Sequence, residues 1–422
     1  MVFHRTRNAA SSNGLVSSSL TSSAFKNMVG EETKLRSNIW KYYLFRIFSG
    51  MFFSVPIIVL FWQSNGLTLT EAMVLQSIFA IIVVALDIPT GYFADIYGRK
   101  LTLVLSGIST FLAISAYSLG HNFSQFLIAE ILLATGTSLA SGTASAFIYD
   151  TLVDLKEEQK YKRIWGHAFF VSAMALAVSG ILGGFIATID LRYTLYLSIP
   201  FFALLIPVAF SMHEPKRHKI IFKKGYIWEI LKIIKVSIIQ DERLKWLILY
   251  SGIVYAFNQS ALWLYQPYFK LSGIDVAYFG VVFASFQIVA AFSSKYAHKL
   301  EEKLGQKYSL IMLIFLVSGS YFLMSNFVFL FSFSFSFLHQ FVRGFREVVV
   351  NDYINKITTS DIRATVLSAE SFVGRLLYAV IIPVIGYVAD AYSLVQALMV
   401  LAFTTLILGI VFLVTFRKNK MV

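Results

Sequence analysis

The sequence predicts an all-α membrane protein of twelve transmembrane helices in two six-helix pseudo-repeats, and three observations predict it. The first is composition: 57% of the 422 residues are hydrophobic, 14% are charged and mean hydropathy is +0.69, more apolar surface than one soluble core can hide. The second is recurrence. Apolar stretches of about 20 residues, the length that crosses a bilayer, run over 39–62, 71–93, 101–119, 124–149, 164–187, 193–211, 244–266, 274–297, 307–325, 328–351, 362–388 and 391–416. The third is charge sidedness. With the N-terminus on the cytoplasmic side, the tails and even-numbered loops hold 30 of the 36 Lys and Arg residues, while the odd loops hold only Arg192 and Lys270. That asymmetry places both termini in the cytoplasm.

The same asymmetry accounts for the net charge of +13 by way of the lipid bilayer, so no nucleic acid partner is implied. The absence of cysteine excludes disulfides, thiolate metal sites and a cysteine nucleophile. The seven histidines, His4, His121, His167, His213, His218, His298 and His339, are scattered rather than set at metal-ligand spacing. No Walker loop is present, so ATP is not the direct energy source, and no cofactor is expected.

Five regions follow from these patterns. Residues 1–37 are Ser-rich and lack a hydrophobic core, so they are expected to form a disordered cytoplasmic tail rather than a secretory signal; an organellar transit peptide is the weaker alternative. Residues 38–211 form an N-terminal six-helix bundle and 244–416 a C-terminal one, followed by a short cytoplasmic tail over 417–422. Between the bundles, 212–243 is a basic linker whose run from Tyr226 to Ile239 is amphipathic. Trp228, Leu231 and Ile234 are expected at the headgroup boundary, with Lys232 and Lys235 toward anionic lipid.

The halves read as copies of one unit. At an offset of 207, Gly66 and Gly98 fall on Gly273 and Gly305, and Asp95 on Glu302. At an offset of 202, Gly142, Asp150 and Gly184 fall on Gly344, Asp352 and Gly386. A duplicated unit puts a substrate site at the repeat interface near the midplane.

Between the second and third stretches stands Gly91-Tyr-Phe-Ala-Asp95-Ile-Tyr-Gly98-Arg99-Lys100. It resembles the loop signature of the major facilitator superfamily. Asp87-Ile-Pro89-Thr90-Gly91, Ser141-Gly142, Tyr149-Asp150, Arg363-Ala364-Thr365 and Gly386-Tyr-Val-Ala-Asp390 are similar to one branch of it, bacterial transporters grouped with drug:proton antiporters. Gly91 is expected to let helix two pack closely, and Gly98 to allow a tight turn at positive φ. The resemblance implies that Asp95 meets the amino end of helix eleven, near Ser360, Asp361 and Arg363, where the helix dipole favours an anion. It also places Arg99 against Asp150. Together these contacts would latch the halves on the cytoplasmic side. Two departures stand out. Many relatives carry Arg where this chain has Glu130, and the helix-five antiporter signature survives only as Ser179-Gly180-Ile-Leu-Gly183-Gly184, without its proline.

Ionisable residues deep in spanning helices are functional candidates by default. Arg46 and Asp87 lie at matching depth and are placed to pair. Glu130 has no basic residue at its level, and a desolvated carboxyl without a cation suits proton coupling. Arg343, Arg346 and Glu347 on helix ten stand against Glu370 and Arg375 on helix eleven. Two acids face three bases, so Arg375, the deepest, is expected to meet an anionic part of a substrate or a carboxylate across the cavity. A closed network of all five is the alternative. Tyr42, Tyr43, Phe45, Phe52, Phe53, Trp263, Tyr265 and Tyr268, with Asn258, Gln259, Gln266 and Gln287, supply an aromatic lining with a few neutral polar groups.

The resemblance thus implies a monomeric secondary active transporter in a bacterial inner membrane, not an enzyme, with a small-molecule substrate and protons as partners. Proton-coupled export of a drug or metabolite is the leading expectation. Import of a nutrient or siderophore-like anionic solute is the alternative, and a non-transporting receptor the third. The second loop copy, His298, Glu302, Gly305, Gln306 and Lys307, lacks the Arg of the first, so the N-half latch is expected to be the stronger. Asp95→Asn should then favour opening toward the cytoplasm, read as faster thiol labelling of a cysteine placed at Tyr97 on this cysteine-free background.

Overall fold

The computed structural model describes residues 10–216, 241–358 and 362–418. The amphipathic run from Tyr226 to Ile239 and the expected cap at Ser360 and Asp361 lie outside the described residues. The spans are α1 (Ala10–Gly50, continued past a break by Ile58–Ser64), α2 (Leu69–Tyr97), α3 (Arg99–Leu119), α4 (Phe123–Ala140, continued by Thr143–Asp154), α5 (Tyr161–Ala187) and α6 (Tyr193–Ser211). The second half holds α7 (Glu242–Leu271), α8 and α9 (both within Phe279–Asn326), α10 (Ser336–Ile357), α11 (Arg363–Ala391) and α12 (Leu394–Lys418). By length and composition nine helical stretches among the described residues qualify as membrane spans, and Val276–Asn326 is one of them although it contains both α8 and α9. The broken α1 and the polar α10 complete the twelve.

Local chemistry sets the ends. Thr68 and Glu71 form a reciprocal capping box at the start of α2, Asn122 accepts the Gln125 amide at the start of α4, and Asp241 accepts the Arg243 and Leu244 amides at the start of α7. The interruptions fall at Pro56 in α1, at Gly142 (φ 26°) in α4 and at Gly305 (φ 71°) between α8 and α9. Both glycine pairs found at the offset of 207 adopt left-handed backbone, Gly66 and Gly273 at 86° and 84°, Gly98 and Gly305 at 118° and 71°. The duplication is therefore conformational as well as sequential. One pair departs from it: Gly142 breaks α4, whereas its counterpart Gly344 sits inside the continuous α10 against the Ala290 carbonyl of α8.

The α-helix begins at Ala10, well inside the stretch 1–37 that composition marks as a disordered tail. No proline occurs before Pro56, so nothing in that stretch stops a helix from propagating outward from the apolar part of α1.

Within the first bundle α1 packs on α5 and α6, α2 on α4, and α3 on α4 and α6; within the second α7 packs on α10, α11 and α12. The halves meet along two crossings, α2 with α11 and α5 with α8. An even number of spans puts both chain ends on one side, the terminal face; the opposite side is the distal face. Both crossings are closest at the distal face. Gly180 and Gly184 of α5 face Gly280 and Ala277 at the start of α8, and Gly386 of α11 lies against Leu69, Thr70 and Met73 at the start of α2. The repeat-related Gly184 and Gly386 thus do the same job in the two crossings, letting backbones approach where lipid supplies no hydrophobic drive between helices. Toward the terminal face the picture changes. Gly91 was expected to bring α2 against a neighbour, yet a side chain there would meet open space, and Tyr97 is exposed.

A side chain at Gly280 would run into the Gly180 carbonyl and Ile181 backbone, atoms that cannot rotate away. Gly280→Leu should therefore prise the distal crossing apart, lowering the melting temperature in detergent and raising the labelling rate of a cysteine placed at Thr188.

Candidate functional site

Glu130 of α4 is buried and lines a chamber of ≈130 Å³ together with Phe52, Val55, Ile58, Trp62, Gln76, Phe79, Tyr117, Leu133 and Trp263. Gln76 Nε2 donates to Glu130 Oε1 at 2.5 Å, and the Tyr117 hydroxyl stands beside the carboxyl group. No basic residue lines the chamber. Trp62 of α1 and Trp263 of α7 close it from the two halves, their ring centroids 6.0 Å apart. A carboxyl group buried this way is costly as an anion and is relieved by a proton or by a cationic ligand.

A larger cavity of ≈580 Å³ lies nearer the terminal face, walled by Phe45, Arg46, Ser49, Thr110, Thr137 and Trp165 among others. Phe52, Phe79 and Leu133 line both spaces, so the cavity and the Glu130 chamber adjoin at these three side chains. Arg46 does not pair with Asp87, as their matched depth predicts. Asp87 instead faces the other half, 3.7 Å from Arg375 of α11 and within reach of the Ser138 hydroxyl. The reason is geometric: both side chains lie on the α2–α11 crossing, while Arg46 points into the N-half cavity.

Arg375 is therefore not a leftover base but answers a carboxylate across the interface, the second of its two expected roles. In the C-half, Arg346 pairs with Glu370 deep in the bundle, Ser251 of α7 is hydrogen-bonded to both, and the guanidinium lies over the Tyr255 ring at 5.2 Å. Arg343 and Glu347, spaced to pair along α10, do not. Arg343 turns to Gln287 of α8 at 2.6 Å, and Glu347, exposed, is 3.9 Å from Arg346. The five residues do not close into one network.

At the loop signature, Arg99 Nη1 lies 2.7 Å from Asp150 Oδ2, and the Lys100 ammonium lies over the Phe210 ring at 5.0 Å. Gly98 has the left-handed φ its turn requires, and it is also crowded: Glu214, in the loop after α6, accepts the Arg99 and Lys100 amides at 2.8 and 2.7 Å. Glu214 is thus an anion at the amino end of α3, within one half. Asp95 is partly buried near the end of α2, and Arg363 is exposed at the start of α11 with Nη2 3.5 Å from the Asn355 carbonyl.

Two residues that sequence reasoning gave no bridging role hold the distal face together. Asp390 near the end of α11 accepts the Leu69 and Thr70 amides at 3.0 and 2.6 Å and the Thr70 hydroxyl at 2.5 Å, capping α2 from the other half. Gln266 of α7 accepts the Val59 amide at 2.7 Å and donates to the Val55 carbonyl at 3.0 Å, bridging the break in α1. Asp390 stood inside a recognised motif and Gln266 is a lone amide in an apolar helix. Each was visible, but its partner is a backbone group and leaves no mark in side-chain spacing.

Comparison with known proteins agrees with this architecture. A family model described as Major Facilitator Superfamily matches residues 42–376. The quinolone resistance protein NorA of Staphylococcus aureus is 22% identical over 180 residues, 41% of this chain and 44% of that protein, so the match spans less than half of the relative's length. An uncharacterised MFS-type transporter of Methanocaldococcus jannaschii is 23% identical over 309 residues, 70% of this chain and 77% of its own. Among solved structures, the nucleoside transporter NupG superposes with a TM-score of 0.76 at 13% identity, covering 91% of this chain and 99% of that one.

Asp390→Ala removes a helix cap, a loss of about 0.5–2 kcal/mol. The expected result is a larger distal-open population, seen as a longer component in the distance distribution between spin labels at Gln63 and Lys270.

Proposed function

The chain belongs to the major facilitator superfamily and is a multi-pass integral membrane transporter rather than an enzyme; we propose that it exports a small amphipathic organic solute by alternating access, in exchange for protons bound at Glu130. The observation that carries this reading is the Glu130 chamber: a buried carboxyl group with neutral partners, placed where Trp62 and Trp263 of the two halves meet and adjoining the cavity of Arg46 at Phe52, Phe79 and Leu133.

With the termini cytoplasmic, as the Lys and Arg asymmetry indicates, the distal face is extracytoplasmic; the Asp390 and Gln266 hydrogen bonds tie the halves there, while the cavity that Arg46 lines lies toward the cytoplasm. Solute enters the cavity from that side. Rocking of the halves along α2–α11 and α5–α8 releases the Asp390 and Gln266 bridges, opens the chamber to the outside and admits a proton to Glu130. The proton neutralises a carboxylate that would otherwise have to cross a closed, apolar state as an anion. Arg99 with Asp150 stiffens the cytoplasmic end of the first half, and Asp87 with Arg375 is the charge pair that rocking strains. Similarity to a quinolone resistance protein supports the export direction. The transporter acts as a monomer in a bacterial inner membrane.

In proteoliposomes with the termini facing outward, solute added outside should drive protons out of the lumen, reported as alkalinisation by an internal pH dye. Glu130→Gln should bind solute but lose proton movement. Unchanged proton flux in that variant would refute the assignment.

A further inference from the structure

An arginine faces the cavity nearer the terminal face with no carboxylate paired to it among the described residues. Other intramembrane arginines are satisfied by protein: Arg346 by Glu370 and Ser251, Arg375 by Asp87, Arg343 by Gln287. Arg46 lines the ≈580 Å³ cavity, whose lining residues include neither Asp nor Glu, and its Nε is buried without a hydrogen-bond partner. The guanidinium is partly buried on a wall of aromatic rings and neutral hydroxyls, where a counter-charge would stabilise it.

A second feature of the same wall favours negative charge. Ser141 and Gly142, where α4 breaks, line the cavity together with Ala144 and Ser145 of the following segment. That segment, Thr143–Asp154, is 12 residues long and its cap position makes no side-chain hydrogen bond, so its first amides have no partner within the helix and carry the positive end of the dipole. The C-half lacks this arrangement, because α10 runs unbroken through Gly344. The break is thus particular to the wall that Arg46 faces.

We propose that this cavity binds a soluble amphipathic organic anion, with a carboxylate or phosphate-ester head at the Arg46 guanidinium and the amino end of the second α4 segment, and an aromatic or alkyl body among Phe45, Phe52, Phe79 and Trp165. The guanidinium fork matches the geometry of either oxyanion. The volume falls within the range of about 300–1,000 Å³ typical of drug-sized ligands. The inference rests on the transporter reading above and names its substrate class.

Equilibrium calorimetry on the purified full chain in detergent tests binding without any gradient, so its outcome is independent of proton coupling at Glu130. Three probes of one shape and different charge are 1-naphthoate, 1-naphthamide and 1-naphthylmethylammonium. Naphthoate should bind tightest, and Arg46→Ala should weaken it by about tenfold or more, about 1.4 kcal/mol, while leaving naphthamide unchanged. Arg46→Gln, nearer in shape, supplies the same comparison if the alanine variant does not fold. Equal or tighter binding of the neutral or cationic probe overturns the proposal, as does wild-type affinity for naphthoate in a folded Arg46 variant. Displacement of naphthoate by a short-chain phosphatidic acid at lower concentration would assign the site to lipid and equally overturn it.

Discussion

Backbone groups freed inside a membrane must find partners within the protein, and much of this structure turns on how that is done at the distal face. Breaking α1 around Pro56 and starting α2 at Leu69 both leave amides without helical partners. In each case the partner is a side chain of the other half, Gln266 of α7 or Asp390 of α11. The closure of the distal face is therefore built from hydrogen bonds to main chain, which have fixed geometry, rather than from ion pairs between flexible side chains. Small residues make it possible. Gly180, Gly183 and Gly184 on α5 admit the Phe53 backbone and the start of α8, and Gly386 admits the start of α2. A contact of this kind is made or broken as a unit, which suits a structure that alternates between two packed states.

Charge is distributed to the same end. Arg346 and Glu370 are buried together with Ser251 inside the second bundle and so move as one body. Asp87 and Arg375 span the bundles, are only half-buried and stand 3.7 Å apart. The first pair organises a half, whereas the second can respond to the relative position of the halves. Glu130 and Arg46 belong to neither class. Each is a single charge type facing its own space, the carboxyl group in the distal chamber and the guanidinium in the cavity nearer the termini, with Phe52, Phe79 and Leu133 lining both.

The two repeats share a plan but not a mechanism. Paired left-handed glycines end corresponding helices, and Gly184 and Gly386 serve equivalent crossings. The break at Gly142 and the unbroken helix at Gly344 separate them. An interrupted helix exposes polar backbone to a cavity; a continuous one with a glycine buries it against a neighbour. The first half accordingly carries the open cavity, and the second carries the buried ion pair.

Twelve spans, the duplication and the turn at Gly98 were legible in the sequence because each depends on properties carried by single residues or short runs: hydropathy over about 20 positions, and the freedom of glycine at positive φ. The meeting of Arg99 with Asp150 was legible only through resemblance. What the sequence could not decide was which charges meet. Depth along a helix matches Arg46 to Asp87 and spacing matches Arg343 to Glu347, yet neither pair forms, because helix rotation and the crossing of α2 with α11 direct Asp87 to Arg375 while α8 offers Gln287 to Arg343. Likewise Glu214 and Asp390 reach the amino ends of α3 and α2 because loops and termini from distant parts of the chain come together there. Apolar patterning and backbone conformation are local and survive in one dimension; the pairing of polar groups is a property of packing, and only the tertiary structure settles it.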